Sequence, residues 1–189
     1  MAVFCGSSDA AEPALLSAAA KLGGILAREQ VRLVYGGGGI GLMGACAGAA
    51  RGAGGRVLGV IPAFLTHVEA PPAGAETVVV ASMHARKMRM FEEADAFAVL
   101  PGAIGTLEEA IELLSWRRLG LHAKPIVFYS PDGFWDPLFS LFRRVAEARL
   151  LPAGFETCWR VVDDIAAVLP ALRSMPASPP IAPAMADLT

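Results

Sequence analysis

Residues 95–119, DAFAVLPGAIGTLEEAIELLSWRRL, decide how this chain folds. An uninterrupted apolar run ends at Leu100, Pro101 and Gly102 turn the chain, and helical spacing follows from Thr106 to about Leu119. A strand that is apolar on both faces needs cover on both faces, which is the habit of a parallel sheet wrapped by helices. The same stretch raises a question of chemistry. Free N–H groups at a helix start attract an anion, yet two carboxylates, Glu108 and Glu109, follow at once.

Outward from this stretch the alternation repeats. AVFC (2–5), RLVY (32–35), RVLGVI (56–61) and ETVVVA (76–81) read as strands, with helical patterns at 13–29, 41–53 and 82–94. A loop bearing Pro71 and Pro72 separates the third and fourth strands. Beyond it, PIVFY (125–129) is a strand, 134–149 a helix, and WRVVDD (159–164) with 165–172 closes the series. This order predicts one α/β domain over residues 1–173, a Rossmann-like doubly wound parallel sheet with helices on both faces. Residues 174–189, SMPASPPIAPAMADLT, are proline-rich and aperiodic and read as a disordered tail. In such folds ligands bind beyond the carboxyl ends of the strands.

Composition narrows the function classes. A chain of 189 residues that is 54% hydrophobic and 18% charged can bury a proper core. Its formal net charge of −2 gives no basic footprint for a nucleic-acid polymer. The N-terminus lacks the pattern of a signal peptide, and the uncharged run 33–50 is too rich in glycine for a membrane span. The expectation is a cytoplasmic protein with no membrane partner. Cys5, Cys46 and Cys158 share no metal or redox spacing and read as buried thiols, and no His/Cys/Asp/Glu set has metal spacing.

Two glycine-rich turns carry the candidate chemistry. The first, YGGGGIGLMGACAGAA, matches G-x-G-x-x-G, but it follows the second strand, and the next strand ends in Ile61-Pro62 without a ribose-binding acid. No lysine completes a P-loop. These glycines either let a helix pack tightly on the sheet or let backbone approach a nucleotide. In the second turn, Thr106 and Glu109 have the spacing of a capping box. That leaves Pro101, Gly102, Gly105 and Glu108 unexplained. The helix MHARKMR holds His84, Arg86, Lys87 and Arg89, either as a solvated face or as a site. Arg86 and Lys87, just past a strand end, are within reach of the second turn and could hold a phosphate between them. His84 reads as structural.

GGGGIGLMG, SMHARKMRM and PGAIGTLEE, together with VFCGSS and VVDD, resemble the Lonely Guy family, cytokinin riboside 5′-monophosphate phosphoribohydrolases. The family signature is P-G-G-x-G-T-x-x-E, and this chain has Ala103 in place of the second glycine. A Cβ matters there if backbone must meet phosphate or adopt positive φ. The resemblance implies Arg86 and Glu109 as the catalytic pair. It implies Lys87, Gly102, Ala103, Ile104, Gly105, Thr106 and Glu108 as substrate contacts, with Glu69 and Ser115 added. It also implies a homodimer with no cofactor or metal. The family has been labelled a lysine decarboxylase, but Lys21, Lys87 and Lys124 lie in no setting for a pyridoxal-phosphate Schiff base.

The implied reaction is hydrolysis of the N-glycosidic bond of adenosine 5′-monophosphates, N6-substituted or plain. The phosphate would take the helix start, and the carboxylates would face a ribose that gains positive charge in the transition state. A non-catalytic nucleotide or molybdopterin-type carrier on the same fold is the alternative. An apolar surface with Leu113, Leu114 and Trp116 is either core or a subunit contact.

Overall fold

The computed structural model describes residues 1–67, 69, 74–152 and 154–175, so Pro71, Pro72 and nearly all of the expected tail lie outside the described residues. The strands are β1 (Ala2–Phe4), β2 (Leu33–Tyr35), β3 (Val57–Pro62), β4 (Glu76–Val80), β5 (Phe97–Val99), β6 (Ile126–Tyr129) and β7 (Arg160–Val162). They form one sheet in the order β4-β3-β2-β1-β5-β6-β7. Every pairing is parallel, with Val3 beside Ala98 and Val34 beside Leu58. The helices are α1 (Pro13–Arg28), α2 (Gly41–Gly52), α3 (Met83–Glu92), α4 (Ile104–Arg118), α5 (Asp136–Glu147) and α6 (Val168–Ser174).

Alternation along each strand sends neighbouring apolar side chains into two separate cores. Val3, Tyr35, Ala98 and Val127 pack with Leu22 and Leu26 of α1, Cys46 of α2 and Leu172 of α6. Phe4, Val34, Val99 and Phe128 pack on the other face with Met90 of α3, Leu113 and Leu114 of α4 and Trp135. Leu113 and Leu114 are therefore core residues. Helices α1 and α2 touch closely because Gly23 has no side chain, and a Cβ there would run into the Cys46 carbonyl oxygen.

Three boundaries differ from the sequence expectation. Pro131–Gly133 form a 3-10 turn with Asp132 at φ 49, which delays α5 to Asp136. The last helical segment begins as a 3-10 turn, Ile165–Ala167, where Asp164 accepts from the Ala166 N–H at 2.9 Å, before α6 runs on to Ser174. Helix α4 begins at Ile104, two residues before Thr106. No helix among the described residues is long and apolar enough to cross a membrane. Cys5, Cys46 and Cys158 are buried free thiols.

The strand order runs outward from β1 in both directions, so it reverses between β1 and β5. A crevice at the carboxyl ends of those strands is the expected ligand seat of an open α/β sheet.

Candidate functional site

The early start of α4 settles what the second glycine-rich turn does. Ala103 precedes the helix at φ −91 and ψ −156 and makes no side-chain cap, while Thr106 is already inside the first turn and buried. The expected capping box between Thr106 and Glu109 is therefore absent: Pro101 and Gly102 bring the chain round so tightly that Ala103 is the preceding residue. The Thr106 hydroxyl packs where a Gly102 side chain would project. Glycine is required at 102 for that reason, whereas Ala103 is exposed at negative φ and accepts its methyl without strain. Glu109 is left free of any capping role. The N–H groups of Ile104, Gly105 and Thr106 have no acceptor among the described residues, as expected at a helix start.

The first glycine-rich turn is different. At the start of α2, Gly41 N–H donates to Asp9 Oδ1 at 2.7 Å. The N–H groups of Leu42 and Met43 donate to the Gly6 carbonyl at 3.0 and 3.4 Å. This helix start is satisfied by its own chain. Its glycines serve packing, the first of the two readings, and they serve it at the site. A Cβ on Gly36 would occupy the place of the Arg86 guanidinium, and one on Gly38 would lie 3.1 Å from Glu69 Oε2.

Between these turns lies a crevice of about 210 Å³, walled by Gly6 and Ser7 after β1, Ala103, Gly105, Thr106 and Glu109 on the α4 side, Arg86 of α3, and Glu69. Arg86 is 7% exposed. Its Nη1 and Nη2 lie 3.9 and 4.0 Å from the weakly accepting sulfurs of Met83 and Met43, and its Nε has no partner among the described residues. A buried guanidinium that makes no ion pair among the described residues can receive an anion, because desolvating it without a close partner is unfavourable. Ser82 fixes it in place by capping α3, accepting from the Ala85 N–H at 3.1 Å.

Glu109 faces the same space. Burial pushes its carboxyl up to about 7, with Arg86 opposing; Glu108 raises it further, Lys87 lowers it, and Glu69 adds to the rise. A carboxyl poised near neutrality in a crevice is a candidate for proton transfer. Glu69 supplies the second carboxylate, and its Oε2 is buried with no hydrogen-bond partner among the described residues.

Other residues expected at the site fall elsewhere. Lys87 does not reach the α4 turn; it is bound by Glu108 and lies 2.9 Å from Glu112, which ties α3 to α4 behind the crevice. Burial works against its charge, but the two carboxylates outweigh burial and raise its pKa. Glu108 is committed to that pairing on the exposed side of α4, so it is Glu69 that accompanies Glu109. Ile104 is 79% exposed. Ser115 is exposed on the outer part of α4, beside Ile111 and Arg118, away from the crevice of its own chain. His84 is on the surface. Among the described residues no group of three or more His, Cys, Asp or Glu could hold a metal ion.

Sequence reading missed the wall after β1. Its signal was available, since Gly6 and Ser7 follow the carboxyl end of the first strand just as Gly102 follows that of β5.

A family profile described as a possible lysine decarboxylase matches residues 43–172. A cytokinin riboside 5′-monophosphate phosphoribohydrolase of Rhodococcoides fascians is 41% identical over 174 residues, covering 91% of this chain and 88% of that protein. The chain belongs to the Lonely Guy family. A probable cytokinin riboside 5′-monophosphate phosphoribohydrolase of Oryza sativa subsp. japonica is 44% identical over 154 residues. That match covers 79% of this Lonely Guy chain and 66% of the rice protein, about two thirds of its length. Among solved structures, the Moco carrier protein from Chlamydomonas reinhardtii superposes with a TM-score of 0.69 at 20% identity, covering 92% of this chain and 94% of that one. That likeness is one of fold. The decarboxylase description does not suit this member: Lys87 is held by acids, Lys124 Nζ donates to the Phe91 carbonyl at 2.7 Å, and Lys21 pairs with Asp164 on the surface. None of the three lines the crevice where a Schiff base would form.

Proposed function

We propose that this chain hydrolyses the N-glycosidic bond of adenosine 5′-monophosphates, N6-substituted or plain, giving free base and ribose 5-phosphate. The observation that carries the reading is one crevice holding a buried guanidinium in no ion pair among the described residues, an open helix start and a carboxyl of raised pKa. Its relatives' names point to the same reaction. The phosphate sits at the N–H groups of Gly105 and Thr106, with Arg86 as the buried cation beside it. The ribose lies against Glu109 and Glu69. As the bond from C1′ to the base breaks, its electron pair leaves with the base and positive charge grows on the sugar, where two carboxylates stabilise it. Glu109 takes a proton from the water that attacks C1′, and the departing base gains one, so one water is consumed for each bond broken.

The volume of the crevice is below the roughly 300–1,000 Å³ of a pocket that encloses a whole drug-sized ligand. It suits the sugar phosphate and leaves the base at the mouth. The protein works in the cytoplasm as a homodimer. Ile104 and Ile111, seven residues apart on α4, together with Leu119 and Leu121 form an exposed apolar stripe suited to the contact.

The test is incubation of the purified protein with AMP and isopentenyl-AMP, followed by chromatography for free base. Release of adenine or isopentenyladenine is the expected result. Tight nucleotide binding without any base release would replace the hydrolase with a carrier.

A further inference from the structure

The crevice has a second wall, the turn after β1, to which neither the resemblance nor the relatives assign a role. This turn is anchored from several sides. Gly6 N–H donates to the Pro101 carbonyl at 3.1 Å, and the Gly6 carbonyl accepts from Leu42 and Met43. Gly41, at φ +60, lies directly against it: a Cβ there would come within 2.5 Å of the Ser7 carbonyl carbon and 2.6 Å of the Ser8 nitrogen. The turns after β1 and β5 also meet backbone to backbone, since a Cβ on Gly102 would lie 2.9 Å from the Gly6 nitrogen. Such close packing places Ser7 beside the open start of α4.

Within this turn most polar groups are committed. The Ser8 hydroxyl accepts from the Ala10 N–H at 3.2 Å, and Asp9 accepts from Gly41. Ser7 keeps both its hydroxyl and its backbone N–H without a partner among the described residues, and it lines the crevice while remaining partly open to solvent. Independently, Arg86, more than nine-tenths buried, with its Nε unpartnered and no ion pair among the described residues, marks the same space as an anion seat.

We propose that Ser7 is a phosphate ligand, its hydroxyl and N–H donating to the nucleotide's phosphate oxygens from the wall opposite Gly105 and Thr106. The inference rests on the nucleotide reading above and deepens it. Phosphate rather than ribose is the matching group: Ser7 presents two donors next to a row of helix-start donors, whereas the sugar hydroxyls have Glu69 and Glu109 to receive them. An anion held from the β1 turn, α3 and α4 at once would be fixed in orientation as well as in place.

The experiment compares the wild type with Ser7→Ala and Ser7→Asp, using AMP turnover and calorimetric binding of ribose 5-phosphate and of adenosine, which lacks the phosphate. Ser7→Ala should raise the KM for AMP and weaken ribose 5-phosphate binding by roughly 10- to 100-fold, the worth of hydrogen bonds to a charged group. Its kcat and its adenosine affinity should stay close to wild type. Ser7→Asp, which sets a negative charge against the phosphate, should abolish AMP and ribose 5-phosphate binding and spare adenosine. An unchanged KM in Ser7→Ala, or equal losses for adenosine and AMP, overturns the assignment while the hydrolase stands. A wild type that neither binds nor cleaves AMP defeats the nucleotide reading itself, and Ser7 falls with it.

Discussion

In the proposed reaction Glu109 is the residue on which the chemistry turns, and its raised pKa sets a definite pH dependence. As a base it must be ionised, so kcat/KM for AMP should rise with pH and level off above an apparent pKa near the value of about 7. Glu109→Gln should lower kcat by about 100-fold or more while the protein stays folded and nucleotide binding stays near wild type. A variant that folds and retains full turnover would remove Glu109 from the mechanism. Ala103 stands for the opposite case, a departure from the family signature that the backbone absorbs. Because it sits exposed at φ −91, Ala103→Gly should change the KM for AMP by less than about threefold. It should lower stability by roughly 0.5 kcal/mol, through greater freedom of the unfolded chain. Steady-state kinetics and chemical denaturation check both figures.

At the scale of elements, the contact between α3 and α4 separates two duties that adjacent residues in MHARKMR carry. Arg86 turns into the crevice and Lys87 turns to Glu108 and Glu112. Lys87→Met should therefore leave the KM for AMP within about threefold and reduce stability by roughly 1 kcal/mol, as for an ion-pair network that is partly exposed at Glu108. It should also move the pH–rate midpoint upward, since Lys87 is one of the charges that lower the Glu109 pKa. A large KM effect without a midpoint shift would put Lys87 back at the phosphate. This division of labour was not legible in the sequence, because both cations occupy one helical turn and only the partners packed around α3 tell them apart. The strand-helix alternation was legible, since strands such as IVFY are apolar on both faces. The start of α4 was not: Thr106 and Glu109 have capping-box spacing, and the local pattern could not reveal that packing against Gly102 draws Thr106 into the helix.

At the scale of the whole molecule, a site built at the switch point of a doubly wound sheet carries a stability cost. The Glu109 carboxyl has its ordinary pKa of 4.5 when unfolded and one of about 7 when folded. Between those values the folded state holds the extra proton, so its contribution to stability falls as pH rises through the window and is constant above it. The stability difference between Glu109→Gln and wild type should accordingly grow from about pH 4.5 to 7 and then flatten, as measured by urea unfolding at several pH values. A difference that stays level across that range would show that the carboxyl is not held in its neutral form by the fold. The layout of the sheet also explains why one half of the site was readable and the other was not. The α4 side announces itself through Pro101, Gly102 and Gly105, whereas the β1 side depends on Gly41 and Asp9, which become its supports only once β1 and β2 are paired.

The plugged entrance of α2 has a further bearing on stoichiometry. With Asp9 and the Gly6 carbonyl already lodged there, that helix start is closed to a phosphoryl group, and the start of α4 is the one that lines the crevice. If the proposed nucleotide binds beside α4, a longer phosphate chain would meet Asp9 rather than a second open helix start at α2, so the occluded socket should favour a monophosphate.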